Sequence, residues 1–359
     1  MLTRTLKLKF NKEQEKKAER YLLTLSSVYN WSLSKFLNST NKEDKHWISL
    51  CDQTKGHASK VGIDSQVFQQ TMKISYSSFD RYRKRKSGKP KFKSSRNKLK
   101  SFVIPQRFSI NGNRLKLPDF GLVKYFNQEL PSGKIKQVKI IKKASGWYAC
   151  LIIDTINTFP TKETSERIGI DTGFKDLAIL SNGVKFENNR EFIKQQTRLA
   201  QAQRGGNKKL SARMHERISN RRRDYNHKVS RKIVENYSEI YITNDNLRGQ
   251  AKIFGKSVMD AGISQLREFI RYKSENNNRI FKLIESKNTT KTCSSCGSLS
   301  GPSGLQELNV RVWECDCGSI HDRDINSAMN ILKLGLGYNL VNLKLSDKIT
   351  LFLDKNHRR

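Results

Sequence analysis

The spacing of apolar residues changes along this chain, and each change marks an element. Residues 2–10 (LTRTLKLKF) alternate apolar and polar positions, which predicts a strand buried on one face. In residues 12–36, Ala18, Tyr21, Leu22, Leu25, Val28, Tyr29 and Leu33 recur at intervals of three and four, the spacing of one helix face. A second helix begins near Ser65 and aligns Phe68, Met72, Phe79 and Tyr82. From 101 to 155 the pattern is strand-like, and Gln137–Ile141 and Trp147–Ile153 read as a hairpin across Lys-Lys-Ala-Ser-Gly. Residues 155–166 read as a linker.

A second unit begins at Arg167. Ile168-Gly169-Ile170 is a short buried strand that ends in Asp171 and a glycine turn, and Leu177–Leu180 turns back as its neighbour. Residues 189–236 read as one or two very basic helices, interrupted near Gly205-Gly206. Ile240–Thr243 and Ile280–Ile284 are further short strands, with a helix over 259–273 between them. The last helix starts near Asp324 and puts Ile325, Ala328, Met329, Leu332 and Leu336 on one stripe. A hairpin followed by acids at strand ends and at a helix start suits an α/β, ribonuclease-H-like layout. The tail 355–359 is expected to be mobile.

Charge narrows the partners. The 359 residues carry 69 Lys and Arg against 33 Asp and Glu, a formal charge of +36. Such self-repulsion disfavours a compact state unless a polyanion shares the charge, and nucleic acid does so with release of counterions. An anionic membrane is the rival, but the sequence shows no long apolar run, secretory pattern or lipidation motif. A reducing cytoplasmic or nucleoid setting follows, in which Cys51 and Cys150 read as small buried hydrophobes. Residues 81–100 contain eleven basic residues and no acid. Arg81, Arg83, Lys84, Arg85, Lys89, Lys91 and Lys93, with Phe92 and Phe102 in or beside the run, are candidates for tracking a phosphate backbone.

The densest chemistry lies near the end. Cys293 and Cys296 are followed, after eighteen residues, by Cys315 and Cys317, and two close thiol pairs are what a closed tetrahedral structural zinc needs. His321-Asp322-Arg323-Asp324 follows within a few residues. Phosphodiester hydrolysis by two metals needs carboxylates that converge from separate elements, and Mg²⁺ takes oxygen ligands while keeping several waters. Asp171, at a strand end, is one candidate, although a turn-capping Asp has the same signature. Asp324 is a second, although Asp is also a favoured helix cap. Asp245, Asp260 and Glu285, all near element ends, compete for the third place.

Together these residues resemble the TnpB family, transposon-encoded RNA-guided nucleases related to the type V CRISPR effectors. The likeness rests on Asp171-x-Gly173, the two cysteine pairs and His321-Asp-Arg-Asp324-Ile-Asn-Ser-Ala. It extends to Ser65-Gln-Val-Phe-Gln-Gln-Thr, Gly88-Lys-Pro-Lys-Phe-Lys-Ser and Arg221-Arg-Arg-Asp224-Tyr-Asn-His227-Lys. The resemblance implies an α/β multidomain protein. A wedge domain, an oligonucleotide-binding-like β-barrel, would span 1–12 and 96–164, and a helical recognition lobe 13–95. A RuvC nuclease domain would span 165–285 and 321–359, with a zinc-binding insertion at 286–320. It further implies one structural zinc, two Mg²⁺, a guide RNA, target double-stranded DNA, a monomer in the RNA complex and a prokaryotic-type host. Arg221, Arg222 and Lys228 join the nucleic-acid contacts. Two departures stand out. The second cysteine pair has one intervening residue where much of the family has two. The family's usual Glu after the third strand is missing, since Thr243-Asn244-Asp245-Asn246-Leu247 stands there. The resemblance therefore points to a subgroup in which Glu285 takes over beside Asp171 and Asp324, with Asp245 as the fallback. A guided repressor without cleavage, and a guide-independent zinc-containing DNA-binding protein or transposase, are the alternatives.

Overall fold

The computed structural model describes residues 1–39, 46–155, 159–255, 260–304, 306–307 and 309–340. The tail 355–359 lies outside the described residues. The chain divides into two compact units, Met1–Ile156 and Asn157–Arg359.

The first unit joins helices to an antiparallel sheet. Strand β1 (Leu2–Lys9) buries Leu6 and Leu8 and exposes Lys7 and Lys9, as its alternation requires. Helix α1 (Lys12–Asn38) starts at a capping box. Asn11 Oδ1 accepts the Gln14 amide at 2.7 Å, and Gln14 Oε1 accepts the Asn11 amide at 3.1 Å. Two short helices, α2 (Trp47–Gln53) and α3 (His57–Lys60), lead to α4 (Ser65–Arg83), which Asp64 caps. Then come β2 (Ser101–Ile104), β3 (Ser109–Asn111), β4 (Arg114–Leu117), β5 (Gly121–Tyr125), β6 (Lys134–Lys143) and β7 (Gly146–Asp154). The strand order is β2-β6-β7-β1-β5-β4-β3, with every pair antiparallel. Helices and sheet share one core, in which Leu6, Tyr21, Leu22, Met72, Phe102 and Leu151 are almost fully enclosed.

In the second unit, β8 (Arg167–Asp171), β9 (Asp176–Leu180) and β10 (Lys185–Glu187) form an antiparallel meander. The basic stretch forms α5 (Glu191–Arg204) and α6 (Lys208–Asn236), broken where Gly206 takes a φ of +65°. Strand β11 (Glu239–Thr243), helices α7 (Leu247–Phe254) and α8 (Ile263–Asn276), and strand β12 (Ile280–Ile284) follow. The sheet order is β10-β9-β8-β11-β12, and β8, β11 and β12 run parallel. A hairpin of β13 (Val312–Glu314) and β14 (Ile320–Asp322) runs directly into α9 (Arg323–Gly335).

Helix α9 lies flat on the sheet because two glycines permit it. A Cβ on Gly169 of β8 would sit 2.1 Å from the Ala328 carbonyl oxygen and 2.6 Å from the Leu332 nitrogen. A Cβ on Gly335 would sit 2.2 Å from the Tyr241 ring. The helix's buried face also differs from the apolar stripe read in the sequence. Asn326, Ser327, Asn330 and Lys333 are buried with Ala328 and Ile331, while Met329 is exposed. Because backbone meets backbone at Gly169, Gly169→Ala is expected to destabilise this unit by roughly 3 kcal/mol. Chemical denaturation would measure this, and an unchanged midpoint would show that the helix can shift without cost.

Candidate functional site

The parallel run of β8, β11 and β12 brings their carboxyl ends to one edge of the sheet. Ile170 pairs with Ile242, and Thr243 pairs with Ile284. Continuing those rows, Asp171 falls beside Thr243. Asp245 lies two residues past Thr243 and returns to the same face, whereas Glu285, one residue past Ile284, turns to the opposite face.

The side chains follow this parity. A cleft of about 390 Å³ is lined by Asp171, Asp245, Asp324, Ser286, Ser327 and Arg311, among others. Glu285, expected beside the two aspartates, does not line this cleft; it is exposed in an adjoining open hollow with Asn244 and Asp245. Asp260 is also elsewhere: its buried carboxylate accepts the Phe192 amide at 3.0 Å, near the start of α5.

Each carboxylate in the cleft has a distinct setting. Asp171 Oδ1 accepts the Thr172 amide at 2.8 Å. Burial, and then the charges of Asp245 and Asp324, push the Asp171 carboxyl up to about 7. Asp245 is held by the Arg267 guanidinium at 3.2 Å and by the Ser286 hydroxyl at 2.6 Å. Asp324 does not cap its helix. Asp322 does so, accepting the Asp324 and Ile325 amides at 3.0 and 3.1 Å. Asp324 is left with Arg311 at 3.3 Å, a half-exposed pair. An enclosed group of carboxylates raises the cost of its own ionisation until a cation joins it, so an all-oxygen divalent ion such as Mg²⁺ fits this donor set.

The four cysteines form a second cluster. All four sulfurs lie within 4.8 Å of one another, with Cys293–Cys317 at 3.9 Å and Cys296–Cys315 at 3.6 Å. Thiolates bound 2.3 Å from one tetrahedral zinc would sit about 3.8 Å apart, so the spacing fits that ion. Burial pushes the Cys315 thiol up, but the Cys317 amide and the Ser298 and Ser300 hydroxyls outweigh it and hold it at about 6, favouring the thiolate. His321 is buried against Trp313, with Nε2 3.0 Å from the Cys293 sulfur. Among the described residues this is the one group of three or more Cys, His, Asp or Glu side chains whose ligand atoms all lie so close.

The cysteine loop is fastened to α9 by polar side chains. Asn326 Nδ2 donates to the Thr292 carbonyl at 2.8 Å, and its Oδ1 accepts the Ser294 amide at 2.8 Å. Asn330 donates to the Thr289 and Thr292 carbonyls at 2.8 and 2.7 Å, and Lys333 donates to the Ser294 carbonyl. This network was missed in the sequence, although Asn326 and Asn330 stand one helical turn apart and signal a shared polar face.

The basic candidates fall into two groups. Arg81, Arg83, Lys84, Arg85, Lys89 and Lys91 are exposed, with Phe92 also open to solvent. Arg83 and Lys84 share Asp80, each at 2.8 Å. The run is anchored at Lys93, whose amide and carbonyl both bond the Asn30 side chain, at 2.6 and 2.8 Å. On α6, Arg221 pairs with Glu191 at 3.0 Å and Lys228 with Asp224 at 2.8 Å, and both cations stay exposed. Arg222 is half-buried, and its Cδ would lie 2.9 Å from a Cβ on Gly262. It therefore packs where an exposed phosphate contact was expected. No helix among the described residues is long and apolar enough to cross a membrane.

Two family descriptions match between residues 150 and 331. A Cas12f1-like TNB domain covers residues 264–331, and OrfB_IS605, described as "Probable transposase", covers 150–253. A Streptomyces pristinaespiralis protein named "Putative RNA-guided DNA endonuclease" is 29% identical over 294 residues, 76% of this chain and 72% of its own. "Putative RNA-guided DNA endonuclease InsQ" of Escherichia coli K12 is 26% identical over 302 residues, 76% of this chain and 74% of its own. "TnpB-like protein L79" of Acanthamoeba polyphaga mimivirus is 32% identical over 133 residues, 34% of this chain and 24% of its own. A structure of a Cas12f1–sgRNA–target DNA complex superposes with a TM-score of 0.56 at 15% identity, covering 90% of this chain and 83% of that one. At that identity the likeness is one of fold, a multidomain α/β architecture.

Proposed function

Because the chain belongs to the TnpB family, we propose that it is an RNA-guided DNA endonuclease with a RuvC-type, ribonuclease-H-like nuclease domain. The observation that carries this reading is the convergence of three carboxylates, from the ends of β8 and β11 and the start of α9, on one cleft next to a four-cysteine cluster. The proposed guide is a transposon-derived RNA. Its base pairing reads the target, while the protein reads a short motif beside it. The wedge (1–12 and 96–164), helical lobe (13–95), RuvC domain (165–285 and 321–359) and zinc insertion (286–320) remain the proposed division.

Asp171, Asp245 and Asp324 are proposed to hold two Mg²⁺, and the four cysteines one structural zinc. The Mg²⁺ pair would activate water and stabilise the leaving oxygen. Asp245 is preferred to Glu285 because it lines the cleft and its charge acts on Asp171. Sequencing the RNA that co-purifies with the protein, then presenting a matching plasmid library under Mg²⁺, tests the function. RNA of one defined origin and cuts beside one motif are expected. Random RNA with guide-independent DNA binding would favour a plain zinc-containing DNA-binding protein.

One observation favours a second reading, a guided repressor that does not cut. Asp245 is a methylene shorter than the family's Glu, and both its oxygens already have partners, Arg267 and Ser286. Matched binding without cleavage would establish it.

The exposed basic run is proposed to follow the nucleic-acid backbone. Neutralising Lys89, Lys91 and Lys93 should weaken binding alike across sequences and flatten its salt dependence by about one slope unit per lost phosphate contact. A changed sequence preference at an unchanged salt slope would refute backbone tracking.

A further inference from the structure

Arg267 rises from α8 into the strand ends at the carboxylate cleft and is nearly enclosed, with 11% of its side chain accessible. Its Nη2 reaches Asp245 Oδ2 at 3.2 Å, Thr172 Oγ1 at 3.3 Å and Thr243 Oγ1 at 3.4 Å, and its Nη1 reaches the Asp245 carbonyl at 3.3 Å. The two threonine hydroxyls also meet each other at 3.0 Å. One planar guanidinium thus ties the residue after Asp171 to the end of β11. Ser286, bonded to the other Asp245 oxygen at 2.6 Å, extends the tie to the end of β12.

We propose that Arg267 is the positioning residue of the cleft: it fixes the Asp245 carboxylate for metal binding and sets the charge that the metal meets. The proposal rests on the nuclease reading. Two physical consequences can be separated. The fork holds the Asp245 carboxylate from Nη2 and the Asp245 carbonyl from Nη1 at once, which a single ammonium nitrogen does not reproduce. The positive charge, in contact with a proposed ligand, opposes an incoming cation whatever its geometry.

Two variants of the full chain in its RNA complex divide these roles. Arg267→Gln removes the charge and the fork. Mn²⁺, used as the probe ion in a calorimetric titration, should bind about tenfold more tightly, because a neighbouring like charge is gone. Cleavage at saturating metal should nevertheless slow by roughly 10–100-fold, because Asp245 is no longer held. Arg267→Lys keeps the charge, so Mn²⁺ affinity should stay at the wild-type value while cleavage still slows. Tighter metal with slower turnover is a split that loss of packing does not produce. Weaker Mn²⁺ binding together with a lowered melting temperature in Arg267→Gln would reduce Arg267 to a structural residue and overturn the proposal, as would an unchanged cleavage rate. If the wild type binds Mn²⁺ but does not cut matched DNA, the nuclease reading falls and the Mn²⁺ titrations alone decide Arg267. If the wild type binds no Mn²⁺, both fall.

Discussion

Asp245→Asn is expected to lower matched DNA cleavage by roughly a thousandfold, as removing a charge aimed at the reacting centre does. Glu285→Gln should stay near the wild-type rate. Guided DNA binding should survive both changes, since phosphate contacts and base pairing carry it. The contrast follows from strand parity, which puts Asp245 in the cleft with Asp171 and leaves Glu285 exposed on the other face. Plasmid cleavage by the RNA complex would measure it. If Glu285→Gln abolishes cutting and Asp245→Asn spares it, the third ligand has moved to β12 and the loop after that strand must rearrange when DNA binds.

The same cluster fixes the sign of the pH response. Asp171 is raised from 3.8 to about 7, so the folded chain binds that proton more tightly than the unfolded chain. Its contribution to the stability of the metal-free protein is therefore greatest below about pH 4 and is lost as pH climbs to about 7. A divalent ion must displace the proton. Half-saturation by Mg²⁺ should accordingly need about tenfold more ion per pH unit below 7.

Much of the second unit was legible because its signals are local. Ile168–Ile170, Ile240–Thr243 and Ile280–Ile284 are short apolar runs at turn boundaries, and each lies within a strand. The double glycine marked the break between α5 and α6. The choice of the third carboxylate turns on one residue. Glu285 and Ser286 are adjacent in sequence but point to opposite faces, and only the pairing register shows which faces Asp171. The cap of α9 was left open in the same way, with capping kept as the alternative role for Asp324. Asp322 and Asp324 both suit a helix start, and the hydrogen bonds assign the cap to Asp322, leaving Asp324 open to the cleft. The buried polar face of α9 was hidden for another reason. Hydrophobic periodicity sees apolar burial alone, whereas Asn326, Asn330 and Lys333 are buried because loop carbonyls and an amide receive them. Arg267 carried no signal, since one arginine on an amphipathic helix looks like any solvated charge.

That polar face makes the four-cysteine cluster matter beyond its own loop. Cys293→Ser is expected to remove most of the bound zinc and to loosen both the cysteine loop and α9. Cys293 is fully buried, so the change leaves the cluster one thiolate short with no water-facing substitute. Structural zinc contributes roughly 10–16 kcal/mol in isolated finger peptides, so losing even part of it exceeds what side-chain hydrogen bonds of about 1 kcal/mol each can restore. The loop then ceases to offer Thr289, Thr292 and Ser294 to Asn330, Asn326 and Lys333. Helix α9 keeps its contact at Gly169 but loses the clamp along its polar face, and Asp324 sits in its first turn. Elemental analysis should give one zinc per wild-type chain and close to none for the variant. Hydrogen exchange should rise together at 289–294 and 323–335. An anomalous map placing the zinc at Asp171 and Asp324, or a zinc-free variant with unchanged protection of α9, would break the link between the cluster and the helix. Cys317→Ser should be milder in stability, because Cys317 lies exposed at the rim of the cluster, where a water can take the missing ligand's place.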